Sequence, residues 1–166
     1  MSGSQEIRSQ IASIQNTQKI TKAMEMVAAS KMKKAQDQMI KARPYAEKIS
    51  NVISHLAHAH PEYTSEFFAT REVKKKGYII ISSDRGLCGG LNNNLFKLVV
   101  ETIEEDNKSD IKPAFSLIGS KATSFFQRMG GDVMAQTAQL GDKPQIEQVL
   151  GLIKSTIDSF IGGEID

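Results

Sequence analysis

Ile20-Thr-Lys-Ala-Met-Glu-Met-Val-Ala-Ala-Ser-Lys-Met32 lies inside the apolar stripe that decides the architecture of this chain. Apolar or small residues recur at Ile7, Ile11, Ile14, Thr17, Thr21, Met24, Ala28, Met32, Ala35, Met39, Ala42, Ala46, Ile49, Ile53 and Leu56. The steps are threes and fours, the heptad signature of a coiled coil. Gly is absent from Ser4 to Leu56, and the one Pro there is Pro44. Its missing N–H and the crowding of the preceding turn predict a kink or local strain. Ser4 or Gln5 starts the helix, and His58-Ala-His60-Pro61 ends it. Roughly fifty residues at about 1.5 Å each make a rod on the order of 80 Å long.

Such a rod is not stable alone. About eight Ile, Leu and Met residues on the stripe, each contributing roughly 1.5–3 kcal/mol when buried, leave on the order of 10–20 kcal/mol unrealised without a partner helix. Residues 62–166 hold no second long heptad run. The partner helix is therefore expected from another chain or from a C-terminal segment outside this sequence. Gly162-Gly-Glu-Ile-Asp166 reads as the start of a strand, not the end of a domain.

With 166 residues, 40% of them hydrophobic, the chain suits one modest core plus an appendage. A single Cys points to a reducing compartment. No run of 18 apolar residues exists to span a membrane. Met-Ser-Gly-Ser-Gln-Glu at the start is neither a signal-peptide core nor an Arg-rich transit pattern. The expected location is therefore a bacterial cytoplasm.

Charge is unevenly placed. Residues 19–43 carry a net +5 (Lys19, Lys22, Lys31, Lys33, Lys34, Lys41 and Arg43 against Glu25 and Asp37), while the whole chain carries +2. A basic rod suits a solvated helix face, an acidic protein surface or nucleic acid. No aromatic residue interleaves the lysines and no bZIP-like Arg run is present, so nucleic acid is not expected. A second cluster, Arg71 with Lys74, Lys75 and Lys76, reads as a solubilising edge.

The remainder alternates strands and helices. Gly77-Tyr-Ile-Ile-Ile-Ser-Ser83 is a short continuous apolar run, as in a buried parallel strand. A Gly-rich loop and a helix near 93–105 follow. Ala114-Phe-Ser-Leu-Ile118 is a second strand, 120–129 a helix with Phe125 and Phe126 facing the core, 132–136 a third strand and 145–161 a third helix. This alternation predicts a parallel sheet with right-handed crossovers. The expected organisation is a long helix over 1–57, a linker over 58–76 and an α/β domain over 77–166.

Few residues look chemical. Asp84-Arg-Gly-Leu-Cys-Gly-Gly-Leu91 follows the first strand, where α/β folds place ligands. It matches neither GxGxxG nor GxxxxGK[ST], and it reads as a tight turn whose glycines permit positive φ. Ser120 reads as a helix N-cap. Cys88 lacks a base, since no His follows residue 60. His55 and His58 share a helix face, but with His60 they lack a third well-placed ligand for zinc. Glu104, Glu105 and Asp106 read as an exposed face with no acid–base pair. No catalytic residue, cofactor site or metal site is expected. Two general readings remain: a structural or mechanical subunit whose rod enters an assembly, and a small α/β ligand-binding module with a coiled-coil oligomerisation arm. The second predicts a preformed pocket near 83–92.

Ile7-Arg-Ser-Gln-Ile-Ala-Ser-Ile-Gln-Asn-Thr-Gln-Lys-Ile-Thr-Lys-Ala-Met-Glu-Met-Val-Ala-Ala-Ser-Lys-Met32, Arg43-Pro-Tyr-Ala46, Ser83-Asp-Arg-Gly-Leu-Cys-Gly-Gly-Leu-Asn92 and Ile118-Gly-Ser-Lys121 carry a close resemblance over almost the whole chain. It is to the N-terminal part of the gamma subunits of bacterial F-type ATP synthases. The resemblance implies an α/β fold: a long coiled-coil helix plus a Rossmann-like, three-layer α/β domain with a mainly parallel sheet. It implies the central-stalk role, with catalysis left to the beta subunits and proton flow turning the shaft. The implied partners are the alpha and beta subunits of F1, the epsilon subunit and the c-ring of F0, at the cytoplasmic face of the bacterial inner membrane. Carried over residue by residue, it places Lys19, Lys22, Met24, Met26, Lys31, Lys33 and Lys34 against the hexamer, and Arg85, Gly86, Leu87 and Cys88 against its base. The family's C-terminal shaft helix and last strands have no counterpart here, so a fragment with a disordered, bent or self-associated rod is expected.

Overall fold

A computed structural model describes residues 2–59, 66–68 and 70–166. The chain divides into two compact units, residues 1–63 and 64–166. The described residues of the first form one helix, α1 (Ser2–Ala59). Its helical assignment runs unbroken through Pro44, where a kink or strain was expected. Just after the proline, Arg43 Nε donates to Glu47 Oε1 at 2.8 Å, an i,i+4 pair across that turn. Thr17 and Thr21 return their hydroxyls to the carbonyls of Ser13 and Thr17, so neither polar side chain is left unpaired on the stripe. His60 and Pro61, read as the end of the rod, lie outside the described residues, as do 62–65 and 69 of the expected linker.

The second unit holds a short 3₁₀ turn (Glu66–Phe68) and then β1 (Lys75–Ile81), α2 (Leu91–Lys108), β2 (Lys112–Ile118), α3 (Ser120–Arg128), β3 (Asp132–Thr137) and α4 (Glu147–Ile161). The strands form one parallel sheet in the order β1-β2-β3, with a register shift between Phe115 and Ser116. β2 is the central strand and is buried from Ala114 to Ile118, which explains its nearly continuous apolar run.

Alternation along β2 divides the core into two faces. Phe115 and Leu117 meet α2 and α3 through Phe96, Ile103, Ala122 and Phe126. The aromatic rings interlock there: Phe115–Phe126 centroids are 4.8 Å apart and Phe96–Phe125 4.6 Å. On the opposite face, Ser116 bonds to Thr156 of α4. The Thr156 hydroxyl donates to the Leu152 carbonyl at 2.9 Å, so Ser116 is the donor of the pair and neither buried hydroxyl is orphaned. Helices on both faces make three layers.

Asp166 lies beside the outer edge of β1 in a parallel bridge: its N–H donates to Lys75 O at 2.7 Å, and Gly77 N–H donates to its carbonyl at 3.1 Å. Arg71 fastens the segment before β1 to the end of α4. Its guanidinium donates to Phe160 O at 2.9 Å and lies over the Phe160 ring, which stacks on Phe67 from 6.0 Å.

Two surface readings need correction. The lysine cluster is more than a solubilising edge: Lys75 and Lys76 open β1, and Lys75 pairs with Asp132 and Lys76 with Asp106, each at 2.7 Å. Asp106 is not an exposed carboxylate, because Lys76 and the Tyr78 hydroxyl both donate to it. These bonds hold the Asp106 carboxyl below the usual range, Lys76 contributing most. Burial pushes the Tyr78 hydroxyl up, and its bond to Asp106 adds to this.

Candidate functional site

The sequence-derived candidates fall on the two units separately. On α1, Lys19, Lys22, Met24, Met26, Lys31, Lys33 and Lys34 are all exposed. Helical periodicity sorts them: Met24 and Lys31 lie in the apolar stripe, whereas Lys19, Lys22, Met26 and Lys33 share the opposite face, with Lys34 on its flank. A partner helix seated on the stripe would cover Met24. The basic face around Met26 would stay turned outward.

On the α/β unit, the loop after β1 carries the second group. Arg85, Gly86 and Leu87 are exposed, and Cys88 is half-buried. Leu87 is fully exposed and sits at φ +62°, a left-handed conformation a leucine seldom adopts. Gly89 is also left-handed, at φ +60°, so the turn uses one of its glycines as expected and forces one leucine as well.

The loop is fastened at both ends. Asn92, nearly buried at the start of α2, accepts from Ser83 N at 3.2 Å and donates to Ser83 Oγ at 2.8 Å and Cys88 Sγ at 3.2 Å. Cys88 is thereby a hydrogen-bonded small residue. Asp84 takes the other end. Its Oδ1 accepts from Ser120 N, Ser120 Oγ and Gln139 N, each at 2.9 Å, and its Oδ2 from Leu140 N at 3.0 Å. Ser120 is therefore not the N-cap of α3. It is the first helical residue behind Gly119, and the capping oxygens come from outside the helix. Asp84 supplies one, and Ser82 Oγ supplies another, accepting from Ala122 N at 2.8 Å.

This arrangement bears on ligand binding. An open crevice of about 630 Å³ lies at the ends of the strands, lined by Ser82, Asp84, Gly119, Ser120, Gln139 and Leu140. In α/β folds the helix N-terminus in such a crevice receives anions. Here its first three amides already donate within the protein: Ser120 N to Asp84, Lys121 N to Ser83 O and Ala122 N to Ser82 Oγ. A neighbouring open hollow of about 340 Å³ touches Cys88, Asn92, Lys121 and Arg128. Among the described residues, no group of three or more His, Cys, Asp or Glu gathers to hold a metal, and no helix is long and apolar enough to cross a membrane.

Hydrogen bonds from the Gln139 and Ser120 amides hold the Asp84 carboxyl below the ordinary carboxylate range. A depressed folded value means that its contribution is complete at neutral pH and is lost as pH falls through that lowered value. The amide resonances of Ser120, Gln139 and Leu140 should therefore stay fixed from neutral pH down past about 4, then move together. A common midpoint at or above the free-carboxylate value of about 3.9 would contradict this.

Asp84 and Asn92 were not singled out from the sequence. The available signal was their type: side chains that cap helices, one at each end of a Gly-rich loop.

Comparison with known proteins agrees with the fold and the motifs. The family model described as ATP synthase matches residues 3–166. The chain is 54% identical over its full 166 residues to the ATP synthase gamma chain of Nitrosococcus oceani. It is 52% identical to that of Pasteurella multocida and 51% to that of Acinetobacter baylyi, again over its full length. It spans 57% of the length of each of these relatives. A long heptad helix, a three-layer parallel α/β unit and a match along nearly every residue lead to one assignment: the chain belongs to the ATP synthase gamma-chain family.

Proposed function

We propose that this chain forms part of the central rotor of an F-type ATP synthase, coupling proton flow through the membrane sector to ATP synthesis or hydrolysis on the alpha/beta hexamer. In this reading α1 is one strand of the shaft. The α/β unit sits beside the epsilon subunit and the c-ring, peripheral to the cytoplasmic face of the bacterial inner membrane. The chain supplies no catalytic residue; ATP is handled on beta. The observation that carries the reading is α1 itself. It is a 58-residue helix with its apolar stripe exposed throughout and a net +5 over residues 19–43, in a chain of this family. A basic face of Lys and unbranched Met attracts an acidic surface at long range without interlocking with it, as a turning shaft requires. The ligand-binding module is less well supported, because the α3 N-terminal amides that would receive an anion already donate to Asp84, Ser83 O and Ser82 Oγ.

Purification of the protein from its source cells, followed by intact mass measurement of everything bound, tests the proposal. Alpha-, beta- and epsilon-sized partners are expected; a chain of 18.3 kDa recovered without them would overturn it.

The stripe makes its own prediction. Met24→Lys in the assembled complex puts a charge where a partner helix seats. It should weaken pairing by about 1–3 kcal/mol, roughly 5- to 150-fold. Proton pumping per ATP hydrolysed should fall. Unchanged coupling would remove Met24 from the pairing seam.

A further inference from the structure

We infer that Asp84 is a positioning residue whose carboxylate, tied to α3 and to the turn after β3, sets how residues 85–88 are presented to a partner surface. The inference rests on the rotor reading. Asp84 directly precedes the tip. Its four hydrogen bonds reach residues that follow it by 36, 55 and 56 positions, so they join three loops at one carboxylate. Ser83 Oγ donates to Arg85 O at 2.6 Å, and Asn92 closes the far side through Ser83 and Cys88.

Between these anchors the tip is bare. A Cβ on Gly86 would meet nothing within 4 Å, and Leu87 is fully exposed at positive φ. Arg85 leans toward Asp142 at 3.8 Å with its side chain still 79% exposed. A leucine held in a strained conformation and fully in water gains nothing within its own chain. A rigid mount beneath it explains the cost: the tip is preorganised for contact with another surface, an apolar socket for Leu87 with acidic groups near Arg85. Asp84 provides that mount without touching the partner.

The test compares Asp84→Ala and Asp84→Asn with the unaltered protein in two settings. In the full 166-residue chain, hydrogen exchange at residues 85–89, Ser120, Gln139 and Leu140 should quicken about tenfold or more in Asp84→Ala, less in Asp84→Asn. Exchange along β2 should not change, which shows that the fold survives. In the assembled complex carrying the full-length chain, cross-linking from Cys88 to the hexamer should drop several-fold in Asp84→Ala and be partly restored in Asp84→Asn. Unchanged exchange at 85–89 overturns the role of Asp84. Faster exchange with unchanged cross-linking overturns the presentation role and leaves the rotor reading intact. No cross-link from Cys88 in the unaltered complex removes the tip from the rotor–hexamer contact, and the inference falls with it.

Discussion

Gly119→Ala should destabilise the α/β unit by about 2–6 kcal/mol, combining backbone strain of roughly 1–3 with overpacking of about the same size. Gly119 sits at φ +99°, ψ 144°, close to a region only glycine occupies. An added Cβ would collide with the carbonyl oxygen of Ser82 and lie 2.7 Å from its Oγ. The collision cannot be relieved cheaply. Ser82 N donates to Ile118 O at 2.8 Å, joining β1 to β2, and Gly119 N donates to Thr137 O at 2.8 Å, joining β2 to β3. Moving either residue opens the sheet at the end that carries the site. It also draws Ser120 away from Asp84. Stability of this size is a large share of the ~5–15 kcal/mol of a typical domain, so a fall in urea midpoint of roughly 1–3 M is expected. A loss below about 1 kcal/mol would show that the crossing at Ser82 is looser than its hydrogen bonds imply.

Much of this architecture was legible in the sequence because its causes are local and periodic. The heptad steps from Ile7 to Leu56 give α1, and the apolar runs at β1 and β2 give parallel strands, of which only β2 is buried as expected: β1 is an edge strand that buries Ile80 and leaves Ile79 and Ile81 exposed. Phe125 and Phe126 fall on the inner side of α3 as their spacing implied, Phe126 fully buried and Phe125 packed against the same core. What stayed hidden depends on pairing between distant residues. Asp132 meets Lys75, and Asp106 meets Lys76 and Tyr78, only because the parallel register and α2 bring those ends together. Ser120 is an obvious cap by type, yet a carboxylate 36 residues earlier takes that role once β1 and β2 lie side by side. The left-handed Leu87 has no sequence signal at all, since Gly86 precedes it, Gly89 follows two residues on, and composition favours these for the turn. The loop's glycines were visible; the side chains that hold the loop still were not.

Hydrogen exchange on this chain should separate its two units by about two orders of magnitude or more. The α/β unit buries Phe115, Leu117 and Phe126 almost completely, so its β2 amides should open only with global unfolding. At a stability of ~5 kcal/mol or more, that corresponds to slowing by over 10³. α1 has no such reserve: every one of its described side chains is exposed, including Ile7, Ile11, Ile14, Met24, Met32, Ile49 and Leu56 of the stripe. Its helix rests on backbone hydrogen bonds and local pairs such as Arg43–Glu47, which for an isolated helix in water leave only marginal stability. Protection within α1 should therefore be about tenfold or less, and lower near Pro44, whose ring cannot donate to the helix. A monomeric chain with α1 protected as strongly as β2 would contradict this and would mean that the stripe is covered within the chain itself. A protected α1 in a concentration-dependent dimer would instead show the stripe finding a second copy. In the complex proposed above the same amides should slow by several orders of magnitude, because burial of the stripe against a partner helix would stabilise an otherwise marginal helix.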